Sequence, residues 1–367
     1  MTAEQLQWQT VAVLALAFGA STALGFLLHR SHFCAMGAVS DAYLMGNFQR
    51  ARQWAMAVAV AMSGFAALAV FTGISPLNTI YNTQRLPWLS LWLGGLLFGM
   101  GMVLASGCAS KALVRLGAGN LKSLVVLMAM GMAALATLRG LPAVWRVQGV
   151  DRVDADWAWG PFVSQWLAHF SGWSLPMSGA VAAAGTALCL FGWALKKPED
   201  RLSASLFAGG GIGLLAVLLW WTSGVMAWVP EHPETLESVF LTTSSGRMES
   251  MSFVGPVGFW LDAWLYYSDG TKRVSFGMVM LPGVVLGAAW HAWRSGTFRW
   301  EGFTQTGDLV RHLVGGLLMG VGGIMAMGCT LGQGLSGLST LSLGSVLATA
   351  GIVLGAVLTL KWQMAHG

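Results

Sequence analysis

Three cysteines occupy similar places in this 367-residue chain, each between an apolar stretch and a short segment rich in small residues. The segments are CAMGAVSDAYL from Cys34, CASKALVRL from Cys108 and CTLGQGLSGL from Cys329. Each is too short, and too rich in Gly, Ser or charge, to cross a bilayer, which predicts short non-spanning helices that begin at cysteine. A protonated thiol is a weak donor with a soft sulfur and suits a soft anion that must leave again, whereas a thiolate favours metals or redox chemistry.

Glycine precedes two of these cysteines, as Gly107 and Gly328. Glycine tolerates positive φ, so we expect a sharp chain reversal at each of these glycines. A reversal leaves free backbone N–H groups at the start of the short helix, and such groups form a natural anion site. We therefore take Gly107 and Gly328 as candidate substrate-binding positions together with the three cysteines.

An internal repeat links two of the cysteines. The stretch GGLLFGMGMVLASGCA (94–109) returns 221 positions later as GGLLMGVGGIMAMGCT (315–330), with nine of 16 positions identical. Such internal repeats in a membrane chain are typical of transporters built from two halves. The glycine pairs Gly95/Gly99 and Gly316/Gly320 have the G-x-x-x-G spacing that predicts close helix packing.

Other candidate residues have two interpretations. Lys111 could line a pathway, since ionisable groups inside a membrane protein usually do, or it could extend to the cytoplasmic interface. Arg30 and Arg115 are predicted to be interface anchors or an anion-attracting rim, and Arg30 is kept as a substrate-binding candidate. Cys189, in the plain run GTALCLFGWAL, is predicted to be a small hydrophobic side chain.

Composition predicts a polytopic helical membrane protein. The chain is 55% hydrophobic and 10% charged, against about 25% charged residues in soluble domains. Its net charge of +5 is attributed to Lys and Arg in cytoplasmic loops rather than to nucleic-acid binding. The tryptophans near the ends of apolar runs predict interfacial belts: Trp8, Trp54, Trp88, Trp173, Trp228, Trp290, Trp300 and Trp362.

Nine spanning helices are expected, because about 20 apolar residues cross the hydrocarbon. We predict them near 10–28, 52–73, 90–106, 121–139, 175–194, 205–222, 274–293, 309–327 and 341–360. Two polar insertions, 140–172 and 223–272, are too short or too polar to form separate domains. The N-terminus has no basic residue before the first apolar run, so no cleaved signal peptide is expected.

The repeat and the span count together predict the topology of a single transmembrane domain over 1–367. Four spans form a first half (8–140), an insertion and a central helix follow (141–203), and four spans form a second half (204–367). An odd link between even units inverts the second half, giving an hourglass with its pseudo-two-fold axis in the membrane plane. Basic residues are more numerous on the face with Arg30, Arg50, Arg52, Lys196, Lys197, Arg201, Arg294, Arg299, Arg311 and Lys361 than on the face with Arg85, Arg139, Arg146, Arg152, Arg247, Lys272 and Arg273. The positive-inside rule then places the N-terminus outside and the C-terminus in the cytoplasm.

No motif for a cofactor is present, and we expect none. The chain has no C-x-x-C, which argues against a structural disulfide or zinc framework, and no phosphate-binding loop for nucleotides. The seven histidines (His29, His32, His169, His232, His291, His312 and His366) mostly fall at helix ends or in loops, without a mid-membrane pair for haem.

Three segments resemble the YeeE/YedE family of bacterial sulfur transporters. They are HRSHFCAMGAVSDAY (29–43), the stretch from Gly94 to Asn120, and GGLLMGVGGIMAMGCTLGQGL (315–335). The family hallmark is R-x-R-F-C-x-x-G-x-x-R-D together with two G-G-C segments. Here the second and third hallmark arginines are His32 and Ser40, while the G-G-C segments read Ser106-Gly107-Cys108 and Met327-Gly328-Cys329.

The resemblance implies an importer of thiosulfate in the bacterial inner membrane, not an enzyme. It implies that Cys34, Cys108 and Cys329 hydrogen-bond the passing anion, and that a small TusA-like sulfur carrier or a rhodanese is the cytoplasmic partner. The departures bear on the substrate: Met327 would narrow or dry the outer entry, and Lys111 would favour an anion near the inner one.

Alternative functions remain open at this point. The first is a carrier of another sulfur or selenium species, such as sulfite, sulfide or selenite. The second is a membrane thiol oxidoreductase working with a quinone, which would need a Cys108–Cys329 or Cys34–Cys108 disulfide. The third, a soft-metal carrier, is weakened by the lack of clustered Cys, His and Met ligands.

Overall fold

The computed structural model describes residues 2–83, 85–157, 159–196, 200–231, 236–269 and 273–366, without the side chains of Ala3, residues 200–205 and His366. Lys197, Lys272 and His232 lie outside the described residues, as do the side chains of Arg201 and His366. The predictions that used them are therefore tested only through the rest of the chain.

Helices make up nearly all the regular structure of the described residues. They are α1 (Ala3–Ser31), α2 (Ala35–Met45), α3 (Gln49–Thr72), α4 (Trp88–Leu104), α5 (Ala109–Gly117), α6 (Leu121–Arg139), α7 (Leu141–Gln148), α8 (Val163–Ser171), α9 (Leu175–Leu195), α10 (Asp200–Trp221), α11 (Val254–Leu265), α12 (Phe276–Arg294), α13 (Thr306–Met325) and α14 (Leu343–His366). Two short strands, β1 (Trp228–Val229) and β2 (Val239–Phe240), pair antiparallel.

Nine helices of the described chain are long and apolar enough to span a membrane: α1, α3, α4, α6, α9, α10, α12, α13 and α14. This confirms the predicted all-α polytopic class. Span ends lie within five residues of their predicted positions, except that α1 begins seven residues early and α14 ends six residues late, and α6 begins and ends where predicted. Hydropathy predicts these spans well because lipid imposes the same requirement on every residue of a span.

The two insertions are more structured than predicted. The first contains α7 and α8, and the second contains the β1–β2 pair and α11. With 12 residues α11 is too short to span, so its sequence, VGPVGFWLDAWL, falls within the polar insertion predicted over 223–272. In the structure α11 is instead an apolar, partly buried helix that packs against α6 through Gly131 and Val257.

The glycine pairs pack helices closely, as predicted. A Cβ added at Gly95 or Gly99 would collide with the backbone of α14, while one added at Gly316 or Gly320 would collide with α6. Glycine thus brings the α4–α14 and α13–α6 backbones into contact, where van der Waals packing holds membrane helices together.

The two repeated helices, α4 and α13, cross antiparallel at the centre of the bundle. Gly94 lies against Gly322, and Gly101 lies against Gly315. Gly315 and Gly322 are the repeat equivalents of Gly94 and Gly101, so the two contacts are equivalent with the halves exchanged. The surrounding contacts follow the same exchange: α1 packs on α12 and α3 on α10, while α4 packs on α14 and α13 on α6.

Most tryptophans of the predicted belts are exposed near span ends, including Trp8, Trp300 and Trp362. Trp54 is the exception, and its assignment to a belt was wrong. Its ring stacks on Phe33 with 4.7 Å between the centroids and packs against the apolar core. Because Phe33 immediately precedes Cys34, Trp54 supports the first cysteine turn.

Candidate functional site

The same backbone turn precedes all three cysteines. A left-handed residue stands two positions before each: His32 (φ 52°), Ser106 (φ 56°) and Met327 (φ 55°). In two of these turns the next amide reaches back to close the helix: Gly107 N–H donates to Met102 O, and Gly328 N–H donates to Gly323 O, both at 2.8 Å. This is the hydrogen-bond pattern of a Schellman helix end.

The predicted reversal at Gly107 and Gly328 through positive φ was therefore wrong. The residue before each of these glycines takes the left-handed conformation, because the helix end needs it one position earlier. The glycines have a different role. A Cβ at Gly107 would lie 3.0 Å from Lys111 Cγ, and one at Gly328 would lie 3.3 Å from Gln333 Cγ. Glycine leaves room for a long side chain to fold over each turn.

Each cysteine then begins a helical segment. Cys34 and Cys108 are the N-cap residues of α2 and α5, and Cys329 precedes a helical segment, 330–339, with a π-helical middle from Gly332 to Gly337. The Gly37 and Gly332 N–H groups each donate to a cysteine sulfur at 3.4 Å, those of Cys34 and Cys329.

The three thiols are buried and close to one another. Their side chains are 8%, 1% and 0% exposed, for Cys34, Cys108 and Cys329. Cys108 interacts electrostatically with both of the others, so it is their common neighbour. All four cysteines are free thiols, and Cys189 is exposed on α9. Neither disulfide required by the oxidoreductase alternative is present.

The place corresponding to Cys34 in the second half is taken by Phe253. Both residues immediately precede a short helix that follows the first span of their half, α2 in one case and α11 in the other. Phe253 is fully buried, and its backbone N–H is directed at the Cys329 sulfur. Unlike the three cysteines, Phe253 has no left-handed residue two positions before it.

Lys111 lies with the cysteines, whereas Arg30 does not. Lys111 is half-buried and interacts electrostatically with Cys34 and Cys108, while Arg30 is exposed near His291. Next to Arg30, sequence analysis missed a histidine pair. His29 Nδ1 lies 2.8 Å from His291 Nδ1, joining α1 to α12.

Gln333 is a further residue that sequence analysis missed. It covers the Gly328 turn as Lys111 covers the Gly107 turn, and its side chain is 1% exposed. Its Nε2 donates to Ala326 O at 2.5 Å. A single amide in an otherwise small and apolar segment was the available signal.

Tyr81 reaches the same region from the α3–α4 loop. Its hydroxyl donates to Gly332 O at 2.6 Å, inside the π-helical segment. Complete burial raises the pKa of Tyr81 well above its usual value, so the phenol stays a neutral donor.

Within the hallmark segment, the retained Asp41 forms a salt bridge with Arg50, with 3.3 Å between Oδ2 and Nε. Arg50 also lies against Gly37, at a place that a Cβ would fill. This ion pair fixes α2 against the start of α3.

Two polar vestibules lie beside the left-handed residues of the repeat. The Ser106 vestibule, of about 390 Å³, is lined by Ser106, Arg115, Ala118, Asn120, Lys122, Thr297, Arg299, Glu301, Asp308 and His312. The Met327 vestibule, of about 200 Å³, is lined by Thr83, Arg85, Pro87, Ser90, Arg146, Asp151, Asp154, Met325 and Met327. The buried cysteine turns begin directly after Ser106 and Met327.

Comparison with known proteins identifies the family of this chain. Residues 30–358 match the family model described as Sulphur transport. The thiosulfate transporter TsuA of Escherichia coli is 28% identical over 324 residues, covering 85% of this chain and 84% of that protein. The thiosulfate transporter TsuA of Spirochaeta thermophila is 27% identical over 354 residues, covering 93% and 94%. The chain belongs to the Sulphur transport family, also known as YeeE/YedE, and its function is transport rather than enzymatic catalysis.

Proposed function

We propose that this protein imports thiosulfate across the bacterial inner membrane past Cys34, Cys108 and Cys329. The observation that supports the proposal most is the proximity of three buried free thiols, each at the start of a helical segment. The two TsuA relatives support the choice of thiosulfate.

The chemistry of the site suits a soft dianion that must bind weakly enough to be released again. A buried anion without compensation costs several kcal/mol, so the route must supply positive potential. The starts of the helical segments supply backbone N–H groups, and Lys111 supplies one positive charge near Cys34 and Cys108. Neutral S–H groups add weak donors, which stabilise the anion without trapping it.

An inverted repeat would place two cysteine turns on opposite sides of the membrane centre. The antiparallel crossing of α4 and α13 and the exchanged contacts of the two halves support this arrangement. We propose the boundaries 8–140, 141–203 and 204–367 for the first half, the connection and the second half. In this hourglass the N-terminus lies outside, the C-terminus lies in the cytoplasm, and the Ser106 vestibule opens to the cytoplasm.

Gly107 and Gly328 contribute space for Lys111 and Gln333, while exposed Arg30 contributes positive charge near the proposed cytoplasmic face. A TusA-like carrier or a rhodanese is proposed to accept the imported sulfur there. Co-purification with the wild-type chain tests this partner. We expect the two proteins to co-purify at low salt and to separate at high salt, because salt screens an electrostatic contact.

Uptake of radiolabelled thiosulfate into proteoliposomes tests the proposal. We expect Cys108→Ala and Cys329→Ala each to abolish uptake, because each removes one of the three buried thiols. Cys189→Ala is the matched control and should retain wild-type uptake, since its thiol is exposed on α9.

Wild-type uptake no greater than that of empty liposomes would refute thiosulfate transport. Equal losses in all three variants would indicate misfolding rather than a pathway. Competition by sulfite, sulfide or selenite measured in the same vesicles distinguishes thiosulfate from the related substrates.

A further inference from the structure

The Ser106 vestibule contains positive charge that its acidic side chains do not pair. Its cations are Arg115, Lys122 and Arg299, and its carboxylates are Glu301 and Asp308. Lys122 Nζ lies 2.6 Å from Asp308 Oδ2, so these two charges form an ion pair. In the described part of the chain neither arginine of the vestibule forms a salt bridge.

The other carboxylate of the vestibule, that of Glu301, is hydrogen-bonded to an amide side chain. Glu301 Oε2 accepts a hydrogen bond from Asn120 Nδ2 at 2.6 Å. His312 is likewise engaged, because its Nδ1 lies 3.0 Å from Asp308 Oδ1. The two guanidiniums are therefore the positive groups of the vestibule that no described carboxylate pairs, and the five charged side chains together leave an excess of one positive charge.

Backbone pairing holds Arg299 in position. The Arg299 N–H donates to Ala118 O at 3.1 Å, and the Leu121 N–H donates to Glu301 O at 2.8 Å. Gly119 (φ 96°) permits this close approach, because a Cβ there would collide with the Arg299 carbonyl oxygen. The arginine thus extends from a fixed segment rather than from a free loop.

Arg115 lies at the inner end of the vestibule. Its Nη1 is 3.9 Å from the position that a Cβ on Gly107 would occupy, beside the turn that leads to Cys108. Ser106 of the same turn is exposed and lines the vestibule, where it offers a hydroxyl donor. Guanidinium groups bind tetrahedral oxyanions by paired N–H donors, with a geometry that a lone ammonium lacks.

The Met327 vestibule has no comparable free charge among the described residues. Arg85 pairs with Asp154 at 3.6 Å and with Asp156 at 3.4 Å, and Arg146 pairs with Asp151 at 3.5 Å. Of these two vestibules, the Ser106 vestibule is therefore the one in which guanidiniums are unpaired among the described residues.

We propose that the Ser106 vestibule is a second binding site, in which Arg115 and Arg299 hold a doubly charged tetrahedral oxyanion. Inorganic sulfate and thiosulfate are both such ions. The vestibule lies beside the turn that leads to Cys108 but is not lined by a cysteine. The inference deepens the proposed function and rests on it in one respect: an oxyanion held here slows release of the transported anion.

The test is calorimetric titration of sodium sulfate into the full chain in phosphatidylcholine nanodiscs at low salt. We expect wild-type protein to bind sulfate and each of Arg115→Gln and Arg299→Gln to weaken binding about tenfold, the loss typical of one charged hydrogen-bonding group. Arg299→Lys should restore part of the affinity. Arg294→Gln, an exposed arginine outside the vestibule, is the matched control and should bind as the wild type does.

A second titration in nanodiscs that contain phosphatidylglycerol identifies the source of the oxyanion. Loss of sulfate affinity in those nanodiscs would show that the guanidiniums prefer the singly charged headgroup phosphate and would overturn the choice of a doubly charged ion, whereas unchanged sulfate affinity would support a soluble ion. Wild-type affinity in the double arginine variant, or no binding by wild-type protein with an intact melting transition, would overturn the proposal. Because binding is measured without transport, failure of thiosulfate uptake would leave this result unaffected.

Discussion

At the scale of single residues, Lys111 has two possible roles, lining the pathway or extending to the membrane interface. It folds over Gly107 and interacts electrostatically with Cys34 and Cys108, while its counterpart over Gly328 is the neutral Gln333. The Gly107 and Gly328 turns therefore differ in charge, although their backbones turn alike. We expect the charge near the Gly107 turn to draw an anion from the Gly328 turn toward it.

We predict that Lys111→Gln lowers the initial rate of thiosulfate uptake by about tenfold or more, since a single buried charge interaction is worth roughly 1.5–3 kcal/mol. Lys361→Gln, which changes an exposed lysine at the end of α14, is the control. Unchanged uptake in Lys111→Gln would mean that this lysine only extends to the membrane interface.

At the scale of elements, the turn between a span and its short helix is the repeated structural unit. Ser106 and Met327 hold the left-handed conformation that glycine adopts without cost, and the glycine follows one position later. The turns therefore retain backbone strain of about 1 kcal/mol per residue. Strained backbone residues cluster at functional sites, so Ser106 and Met327 are candidates for a functional role.

Ser106→Gly is predicted to raise the free energy of unfolding by about 0.5–1 kcal/mol, because glycine relieves the left-handed strain. The melting temperature in detergent measures this effect. Ser295→Gly, at a helix end with φ −89°, should give no such gain. A lower melting temperature for Ser106→Gly would show that the serine hydroxyl matters more to stability than the strain.

At the scale of the whole molecule, the exchange of contacts between the two halves leads to a definite topology. The helix pairs α1–α12 and α3–α10 join the halves, as do α4–α14 and α13–α6. Nine crossings, an odd number, would place the two termini on opposite sides of the membrane. From the excess of basic residues on the C-terminal side we propose that this side faces the cytoplasm.

Reporter fusions test that orientation. A fluorescent protein fused after Trp362 should mature and fluoresce in the cytoplasm, and alkaline phosphatase fused after Trp173 should be active outside it. Exchanging the two reporters is the control, and both should then be inactive. The reverse pattern would contradict the proposed orientation and would place the Ser106 vestibule outside the cell.

The sequence alone determined the nine spans, the three cysteine-initiated segments and the close packing at Gly95 and Gly316. These features depend on local hydropathy, on residue spacing and on glycine's lack of a side chain. They can therefore be predicted without knowing which residues they contact in the fold. The internal repeat also predicted that Cys108 and Cys329 stand at equivalent turns.

Only the tertiary structure decided which residue takes the left-handed conformation, that the Phe253 N–H meets the Cys329 sulfur, and that Gln333 faces Gly328. It also brought Arg115 and Arg299 into one vestibule across 184 positions of sequence. These results depend on contacts between segments far apart in the chain, which form only when glycine faces bring whole helices together. Local pattern carries no information about such contacts, because the same side chains could meet lipid, water or one another.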